Sequence, residues 1–235
     1  MIPTLQLGQM GLASAKPAAD PTVPVKLRFE QANGATTTVD EGFGASVWTF
    51  SAGASISTSA PLSESASLLL AAGTDYIETD WTTTIAPTTT QSFCIEYRLT
   101  PLVSQAGHLM MGVTVTDTGP YVFGFYFAVT TALPYFYWRG ADGVDRNIGA
   151  TSTTGSPPHH IAASWDGTTW RLFYNGALVA SLVNSSGLGF TASRKLRIGK
   201  IQYTGETGVN SKFDNVRVTI GDARYTAAFT PPTTI

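Results

Sequence analysis

Two tight-turn dipeptides set close together, Asp166-Gly167 and Asn175-Gly176, constrain the fold of this chain more than any other feature. Asp-Gly and Asn-Gly tolerate the positive φ angles that two-residue hairpin turns require. The stretches around them are rich in apolar and aromatic residues of the kind found in half-buried strands. The sequence therefore predicts three consecutive antiparallel strands, His159 to Asp166, Trp170 to Tyr174 and Ala177 to Val183.

The rest of the chain also favours strands over helices. In Ser92 to Leu99 apolar and polar residues alternate with the period of two that a half-buried strand needs, whereas no stretch sustains a helical apolar period. About one residue in seven is Thr, and β-branched and aromatic residues suit a pleated surface. Many short strands in one chain predict an all-β sandwich or barrel. Further strands are predicted at Val25 to Glu30, Ser46 to Phe50, Ser67 to Ala71, Tyr76 to Thr79, Gly107 to Val115, Tyr121 to Val129, Tyr135 to Arg139, Lys195 to Gly199 and Asn215 to Ile220.

Charge and hydropathy exclude several classes of partner. The chain has 14 Lys and Arg residues against 16 Asp and Glu residues, a net charge of −2. No basic run is dense enough to follow phosphates or an anionic lipid surface, so we expect neither nucleic acid nor membrane as a partner. No apolar run approaches the roughly 18 residues of a membrane-spanning helix, and the first residues lack the features of a secretory signal. The single cysteine, Cys94, excludes an internal disulfide framework.

Composition divides the chain into three parts. Residues 1–24 contain four prolines, almost no charge and no regular period, so we predict an extended N-terminal arm that becomes ordered by docking on a partner. Residues 25–229 carry the alternating strands and are long enough to form one all-β domain with a sizeable core. Residues 230–235 include Pro231-Pro232 and are predicted to form an extended C-terminal tail.

A family resemblance rests on Trp165 to Ala180, which reads WDGTTWRLFYNGALVA. Three other stretches agree in the expected order, Leu27 to Glu30, Asp75 to Glu78 and Phe213 to Val218. Over nearly the whole chain the sequence resembles concanavalin A-like (laminin G-type) jelly-roll domains. Its Ala-rich and Thr-rich opening, with Ala54 to Thr58, resembles the versions found in tailed-bacteriophage structural and tail proteins. The resemblance implies a jelly-roll sandwich of two antiparallel sheets, of about six strands each, whose first and last strands are adjacent.

The resemblance also indicates which catalytic residues to look for. Glycanases of this superfamily carry a Glu-x-Asp-x-x-Glu strand, whose carboxylates protonate the leaving oxygen and attack the sugar. Here the nearest match is Glu78-Thr79-Asp80 followed by Trp81-Thr82-Thr83, so the third carboxylate is missing. Glu96 stands alone in its strand, and Cys94 has no adjacent His to act as its base. We therefore predict no catalytic residue and no enzymatic activity.

Two parts of the sequence are candidates for metal sites. Related jelly rolls hold a structural calcium between the first strand and an aspartate on the last, and the matching positions are Glu30 and Asp214. Asp214 and Val216 are two residues apart, so they lie on the same face of the strand unless a bulge intervenes. The carboxylate of Asp214 then points inward and needs calcium or hydrogen-bond donors. Glu30 stands where metal-binding versions place Asp, which favours the hydrogen-bonded alternative. His159-His160 point to opposite faces of a strand and cannot share an ion, so we expect one buried and one exposed histidine.

Sugar binding needs exposed aromatic rings flanked by polar groups. In the strand from Tyr135 to Arg139 the two tyrosines share one face, and a phenylalanine and a tryptophan share the other. One of these pairs can lie outside the core, although burial of the strand on both sides by a loop or a neighbouring subunit explains the same pattern. The candidate carbohydrate-binding residues are Trp81, Tyr135, Tyr137 and Trp138.

These observations lead to one functional hypothesis and one alternative. The first is a non-enzymatic structural or adhesion component of a bacteriophage particle, such as a tail, fibre or decoration protein, located in the virion. It would dock on other virion proteins through residues 1–24, form a homo-oligomer and present its jelly roll to the host. The alternative is a lectin module that recognises host surface glycans. A defined sugar ligand distinguishes the two, because the fold alone serves both roles.

Overall fold

A computed structural model describes residues 22–102, 107–114, 121–128, 131–189, 194–201, 208 and 210–234. All regular structure in these ranges is β-strand, and they contain no helix that could cross a membrane. The strands are β1 Val25–Leu27, β2 Thr49–Phe50, β3 Ala54–Ser57, β4 Ser67–Leu70, β5 Tyr76–Trp81, β6 Phe93–Pro101, β7 Leu109–Thr114, β8 Tyr121–Phe127, β9 Pro134–Arg139, β10 Asp145–Gly149, β11 His159–Trp165, β12 Thr169–Tyr174, β13 Ala177–Val183, β14 Arg194–Gly199 and β15 Ser211–Ile220.

The strands form two antiparallel sheets. The larger sheet has the order β13-β12-β11-β6-β15-β4-β3, with β1 paired to β15 beside this path, and the smaller has the order β10-β9-β8-β7-β14-β5-β2. The first and last strands are hydrogen-bonded neighbours, with Val25 opposite Val218, as the resemblance implies. In the described residues the sheets have eight and seven strands rather than about six each. The predicted all-β, two-sheet jelly-roll sandwich is confirmed.

Aromatic side chains dominate the core between the sheets. Register places Trp165 of β11 directly opposite Trp170 of β12 and Phe93 of β6. Trp170 stacks on Trp138 of the smaller sheet, with ring centres 4.1 Å apart, so that tryptophans join the two layers. All four side chains are buried. The alternation in β11 therefore predicts correctly that Trp165 lies on the core face.

The Asn175-Gly176 turn has the geometry that its sequence predicts. The two residues have φ angles of 50° and 79°, the positive values of a type I′ hairpin turn. The returning strand β13 spans Ala177–Val183, the range predicted. The turn also contacts the end of the chain, because the backbone N–H of Phe229 donates a hydrogen bond to the carbonyl of Gly176 (2.9 Å).

The outer face of the larger sheet is covered by residues 221–234, which we call the C-terminal segment. The rings of Tyr225 and Phe229 stack 3.6 Å apart and pack with Cys94, Ala162 and Phe173 in a second, smaller hydrophobic cluster. Burial raises the pKa of the Cys94 thiol, which favours its protonated form. Cys94 is thus a packed side chain beneath this segment.

The C-terminal segment also explains why the structure differs from the sequence prediction at the two adjacent histidines. His159 and His160 point to opposite faces of β11, but both are buried. The ring of His159 lies 5.0 Å from that of Tyr174, and Nε2 of His160 lies 2.9 Å from a carboxylate oxygen of Glu96. The prediction of one exposed histidine is wrong, because the C-terminal segment shields the outer face from solvent.

At the N-terminal side, ordered contacts begin before Val25. Val23 is 1% exposed, and its carbonyl accepts a hydrogen bond from the N–H of Phe43 (2.9 Å). The carbonyl of Pro24 accepts another from the N–H of Gly44 (3.0 Å). The last residues of the predicted arm therefore belong to the sandwich, and residues 1–21 lie outside the described part of the chain.

The predicted C-terminal tail, residues 230–235, also makes contacts as far as the structure describes it. The guanidinium of Arg98 donates to the carbonyl of Pro232. The side-chain amide of Asn215 donates to the carbonyl of Thr233 (3.1 Å). The chain after β15 thus lies along the larger sheet up to Thr233.

Candidate functional site

The outer face of the smaller sheet carries four partly exposed tyrosines, which we call the tyrosine cluster: Tyr121, Tyr126, Tyr135 and Tyr137. The phenylalanines and the tryptophan between them on β8 and β9 point into the core. Register sets Tyr126 opposite Tyr135 and Gly124 opposite Tyr137. Two adjacent strands therefore bring the four rings onto one open face.

Tyr137 lies at the centre of the cluster. Its ring centre is 6.1 Å from that of Tyr121, 5.9 Å from that of Tyr126 and 6.1 Å from that of Tyr135. Burial, together with the neighbouring phenols of Tyr126 and Tyr135, raises the pKa of Tyr137. The hydroxyl therefore stays protonated at neutral pH and can both donate and accept a hydrogen bond. The cluster offers apolar ring faces and hydroxyls side by side.

Two glycines shape the surface beneath the rings. Gly149 of β10 is opposite Tyr135, and a Cβ atom there would lie 2.1 Å from the Tyr135 ring. A Cβ atom at Gly124 would lie 3.5 Å from the Tyr121 ring. The rings of Tyr135 and Tyr121 therefore lie close against the backbone of the sheet at these two glycines.

Ion pairs border the cluster where β9 ends and β10 begins. The guanidinium of Arg139 donates to Asp145 (3.0 Å), and that of Arg146 donates to both oxygens of Asp142 (2.8 and 2.6 Å). A cleft of about 210 Å³ opens at this end of the sheet. It is lined by Tyr121, Tyr137, Trp138, Asp145 and Arg146.

Of the four predicted sugar-binding residues, Tyr135 and Tyr137 lie in the cluster, whereas Trp81 and Trp138 do not present an exposed ring. Each tryptophan is 1% exposed. The Trp81 ring packs in the core 5.4 Å from Phe123, and the Trp138 ring packs in the core 4.1 Å from Trp170. Alternation separates the two pairs of aromatics in β9 but does not tell which pair is inside. Trp81 and Trp138 are thus core side chains and not exposed rings on which a sugar could pack.

Asp214, one of the predicted calcium ligands, does not point into the core. The pairing of β15 with β6 contains a bulge between Asp214 and Arg217, where Asn215 has a φ of 50°. The extra residue reverses the parity, so that Asp214 lies opposite Arg98, whose sequence neighbours on β6 point inward. Asp214 is still completely buried, but on the outer side of the larger sheet.

Hydrogen-bond donors already hold both candidate calcium ligands. Asp214 accepts from the hydroxyl of Ser63 (2.5 Å) and from the N–H of Asn215 (2.8 Å). Ser65 donates to Glu30 through its N–H (3.0 Å) and its hydroxyl, while Oε1 of Glu30 is buried with no partner among the described residues. Calcium takes six to eight oxygen ligands, and the described residues contain no group of three or more His, Cys, Asp or Glu side chains that could hold a metal. Ser63, Ser65 and the N–H of Asn215 are donors of the kind that the hydrogen-bonded alternative requires, and the choice between this alternative and calcium stays a prediction.

The carboxylates considered for catalysis are each held separately. Glu78 is paired with Arg197 (2.6 Å) and Asp80 with Lys195 (2.6 Å). Glu96 is completely buried beneath the C-terminal segment. Residues that act as acid and base on a sugar must both face the glycosidic bond. These contacts do not place the three carboxylates around a common open cleft.

Sequence reasoning missed Tyr121, Tyr126, Asp145 and Arg146. Tyr121 and Tyr126 are five residues apart, so strict alternation places them on opposite faces of β8. A bulge in the pairing of β8 with β7 skips one residue after Tyr121 and brings both rings to the outer face. Asp145 and Arg146 lie on a mostly polar strand that carries little strand signal, so its pairing with β9 could not be expected.

Solved structures with the same fold include binding domains of bacterial toxins. The binding domain of Paraclostridial Mosquitocidal Protein 1 aligns with a TM-score of 0.60 and 13% identity, covering 89% of this chain and 50% of that chain. The receptor binding domain of botulinum neurotoxin C/D mosaic serotype aligns with a TM-score of 0.61 and 9% identity, covering 84% and 48%. This chain thus spans about half the length of these toxin domains. At such identities the likeness shows the fold alone.

A further similar structure is domain 4 of AbnA, a GH43 extracellular arabinanase from Geobacillus stearothermophilus, in complex with arabinotriose. It aligns with a TM-score of 0.58 and 12% identity, covering 84% of this chain and 92% of that chain. No curated protein matches the chain in sequence. A family model does match, over residues 71–221, a range that runs from the end of β4 to the end of β15. Because that match covers more than half of the sequence and falls on the two-sheet jelly roll, the chain belongs to the concanavalin A-like lectin/glucanases superfamily.

Proposed function

We propose that the protein is a non-enzymatic, lectin-type module that binds carbohydrate on the outer face of its smaller sheet. The observation that carries this proposal is the tyrosine cluster, in which three partly exposed rings lie 5.9 to 6.1 Å from the ring of Tyr137. Sugars combine apolar C–H faces, which pack on aromatic rings, with hydroxyls that need hydrogen-bond partners. Four tyrosines on one open face supply both kinds of contact.

The structural neighbours support a binding role. Domain 4 of AbnA is a non-toxin domain of the same fold that was solved with arabinotriose, and the two toxin domains are named as binding domains. The fold therefore accommodates recognition surfaces in other proteins. For this chain we propose that the recognition surface is the tyrosine cluster and that its ligand is a sugar.

The charge contacts support the non-enzymatic part of the proposal. Glycoside hydrolysis needs two carboxyl groups that flank the scissile bond. Glu78 and Asp80 are engaged by Arg197 and Lys195, and Glu96 is shielded by Tyr225. The tyrosine cluster lies on β8 and β9, separate from all three carboxylates.

We also propose the biological setting that the resemblance implies, in which the module is part of a bacteriophage particle. The proline-containing segment before Thr22, which has only two charged residues, would attach it to other virion proteins, and the tyrosine face would then be turned toward host glycans. Immunogold labelling of purified particles tests this setting. Gold on the tail or fibres supports it, and particles without any label overturn it.

A glycan array tests the proposed function. The wild-type protein is expected to bind a defined set of sugars, and Tyr137→Ala is expected to abolish that binding while the protein still unfolds in one cooperative thermal transition. Tyr76→Ala is the matched control, because Tyr76 is a partly exposed tyrosine on the same sheet but on β5, where the guanidinium of Arg197 lies 3.9 Å from its ring centre. Two strands, β7 and β14, separate it from the cluster. Binding to no sugar, or equal loss in the two variants, contradicts the proposal.

A further inference from the structure

The cleft at the β9–β10 end of the tyrosine cluster has the size of a single sugar unit. Its volume is about 210 Å³, below the roughly 300 Å³ at which pockets for drug-sized ligands begin. Tyr121 and Tyr137 form aromatic walls whose ring planes are inclined at 54°. Two inclined rings can contact a saturated six-membered or five-membered ring on its face and its edge.

One polar group in the cleft has an oxygen left for a ligand. Asp145 uses Oδ1 to accept from Arg139 (3.0 Å), and its side chain is 57% exposed. A ligand hydroxyl can donate to the remaining oxygen of Asp145.

The positive charges around the cleft are already compensated. The guanidinium of Arg146 donates to both carboxylate oxygens of Asp142, and one of its nitrogens also donates to the carbonyl of Val144 (3.0 Å). The guanidinium of Arg139 is bound to Asp145. Two cations are therefore matched by two carboxylates. An anionic sugar would have to displace Asp142 from a bidentate pair, which is the strongest geometry for binding a carboxylate.

On these grounds, and resting on the proposed function, we infer that the cleft selects one unit of a neutral sugar and discriminates against sialylated or uronic acid sugars. The sugar ring packs on Tyr121 and Tyr137. One of its hydroxyls donates to Asp145. The sugar thus binds at the β9–β10 end of the tyrosine cluster, and it carries no charge.

A titration with paired probes tests the site and the charge class together. The probes are neutral oligosaccharides of arabinose, galactose, glucose and mannose, each compared with sialylated and uronic acid oligosaccharides of similar length. Wild-type protein is expected to bind at least one neutral probe at least tenfold more tightly than any acidic probe. Because no net charge is involved, the affinity for that probe should change less than twofold between 50 and 500 mM NaCl.

Matched variants locate the binding site within the cluster. Tyr121→Ala removes a wall of the cleft and should weaken binding of the neutral probe at least tenfold. Tyr135→Ala removes a ring of the cluster that does not line the cleft, and it should leave the affinity within threefold. Equal melting temperatures of the two variants confirm that both are folded. Loss of binding in Tyr135→Ala alone overturns the location of the site.

Asp142→Asn tests the charge argument directly. It releases the guanidinium of Arg146 without altering a residue that lines the cleft, so the preference for neutral over acidic probes should fall several-fold. Wild-type protein that prefers acidic probes overturns this inference while the proposed function stands. Wild-type protein that binds none of the probes overturns both.

Discussion

The hydroxyl of Tyr225 donates a hydrogen bond to Oε2 of Glu96 (2.8 Å), and this contact ties the C-terminal segment to the middle of the larger sheet. Glu96 is completely buried. The same oxygen lies 2.9 Å from Nε2 of His160. Nε of Arg224 lies 3.0 Å from the other oxygen, which is an ion-pair distance, although its geometry is not that of a hydrogen bond. One carboxylate thus joins two side chains of the C-terminal segment, Arg224 and Tyr225, to a histidine of the sheet that they cover.

Removing the charge of Glu96 should loosen the C-terminal segment. We expect Glu96→Gln to lower the free energy of unfolding by about 3 kcal/mol, because breaking a buried ion pair leaves its partners uncompensated. Tyr225→Phe removes a single hydrogen bond to a charged group and should cost about 1.5 to 3 kcal/mol. Urea unfolding measures both. A loss below 0.5 kcal/mol in Glu96→Gln would show that the carboxylate does not hold the segment.

The same carboxylate should make stability depend on pH. Burial alone raises the pKa of Glu96, but the hydrogen bond and charge of His160, with the charge of Arg224, outweigh it and bring the pKa below its usual value of 4.5. A folded-state pKa below the unfolded value gives stability that is present above pH 4.5 and is lost as the pH falls further. Wild-type protein should therefore lose stability in that acid range more steeply than Glu96→Gln does.

Asp214 should have the opposite pH dependence. Burial raises its pKa to about 7, with hydrogen bonds from Ser63 and Asn215 opposing that rise and the charge of Glu30 adding to it. Because the folded-state pKa is raised, its contribution is fully present below about pH 4 and is lost as the pH rises through 7. Asp214→Asn, which cannot ionise, should flatten the melting temperature between pH 4 and 7.

Chelation separates the two explanations for Asp214. If hydrogen bonds satisfy the carboxylate, EDTA at pH 7.5 leaves the melting temperature of wild-type protein unchanged. A bound calcium ion would lower the pKa of Asp214 and would stabilise the folded state by mass action. A drop of several degrees with EDTA in the wild type, absent in Asp214→Asn, would establish calcium at this position.

The sequence predicts this fold well where local chemistry decides the structure. Asn175-Gly176 specifies its own turn, so strand β13 is placed to the residue. The sequence does not show on which face of a sheet a side chain lies where one extra residue forms a bulge. The bulge at Asn215, for example, turns Asp214 outward. The cleft beside the tyrosine cluster is also hard to predict, because it forms only through pairing between strands that are distant in sequence. Tyr121 and Arg146 are separated by a whole strand in sequence, and only pairing through β9 brings them to one cleft.

Trp165 should be one of the most sensitive positions in the core. Its side chain is 1% exposed, its Nε1–H donates to the carbonyl of Asn184 (3.0 Å), and its ring centre lies 5.8 Å from that of Trp170. We expect Trp165→Ala to cost about 3 to 5 kcal/mol, as for other emptied aromatic sites. Val183→Ala is the control, because Val183 is 81% exposed and should change stability by less than about 0.5 kcal/mol. Coinciding melts of wild type and Trp165→Ala would refute the core assignment.

Two N-terminal deletions should behave differently. Removal of residues 1–21 should leave the melting temperature unchanged and abolish attachment to the assembly partner. Removal of residues 1–24 also deletes the buried side chain of Val23 and the carbonyl of Thr22, which accepts from the N–H of Ile220 (2.7 Å). Losing the Val23 burial alone should cost about 2 kcal/mol. Circular dichroism melts compare the two proteins, and equal stability would place the start of the sandwich after Pro24.

Gly176 and Gly167 allow a test of the contact between the hairpin turn and the C-terminal segment. Both have positive φ angles, 79° and 99°, so an alanine at either position is strained by about 1 to 2 kcal/mol. Only at Gly176 would the added Cβ meet a neighbour, because it would lie 2.0 Å from the carbonyl oxygen of Phe229, whereas nothing lies within 4 Å at Gly167. Gly176→Ala should therefore lose more stability than Gly167→Ala, and Gly176→Val should lose more still.

The second readout of this comparison is proteolysis. In Gly176→Ala the C-terminal segment must move away from the turn, so limited proteolysis should cut within residues 221–234 sooner than in wild-type protein. Gly167→Ala leaves that contact intact, so its cleavage pattern should match that of the wild type. Mass spectrometry of the fragments locates the cut. Equal loss of stability in the two alanine variants, with unchanged cleavage, would mean that the turn and the C-terminal segment are not in contact in solution.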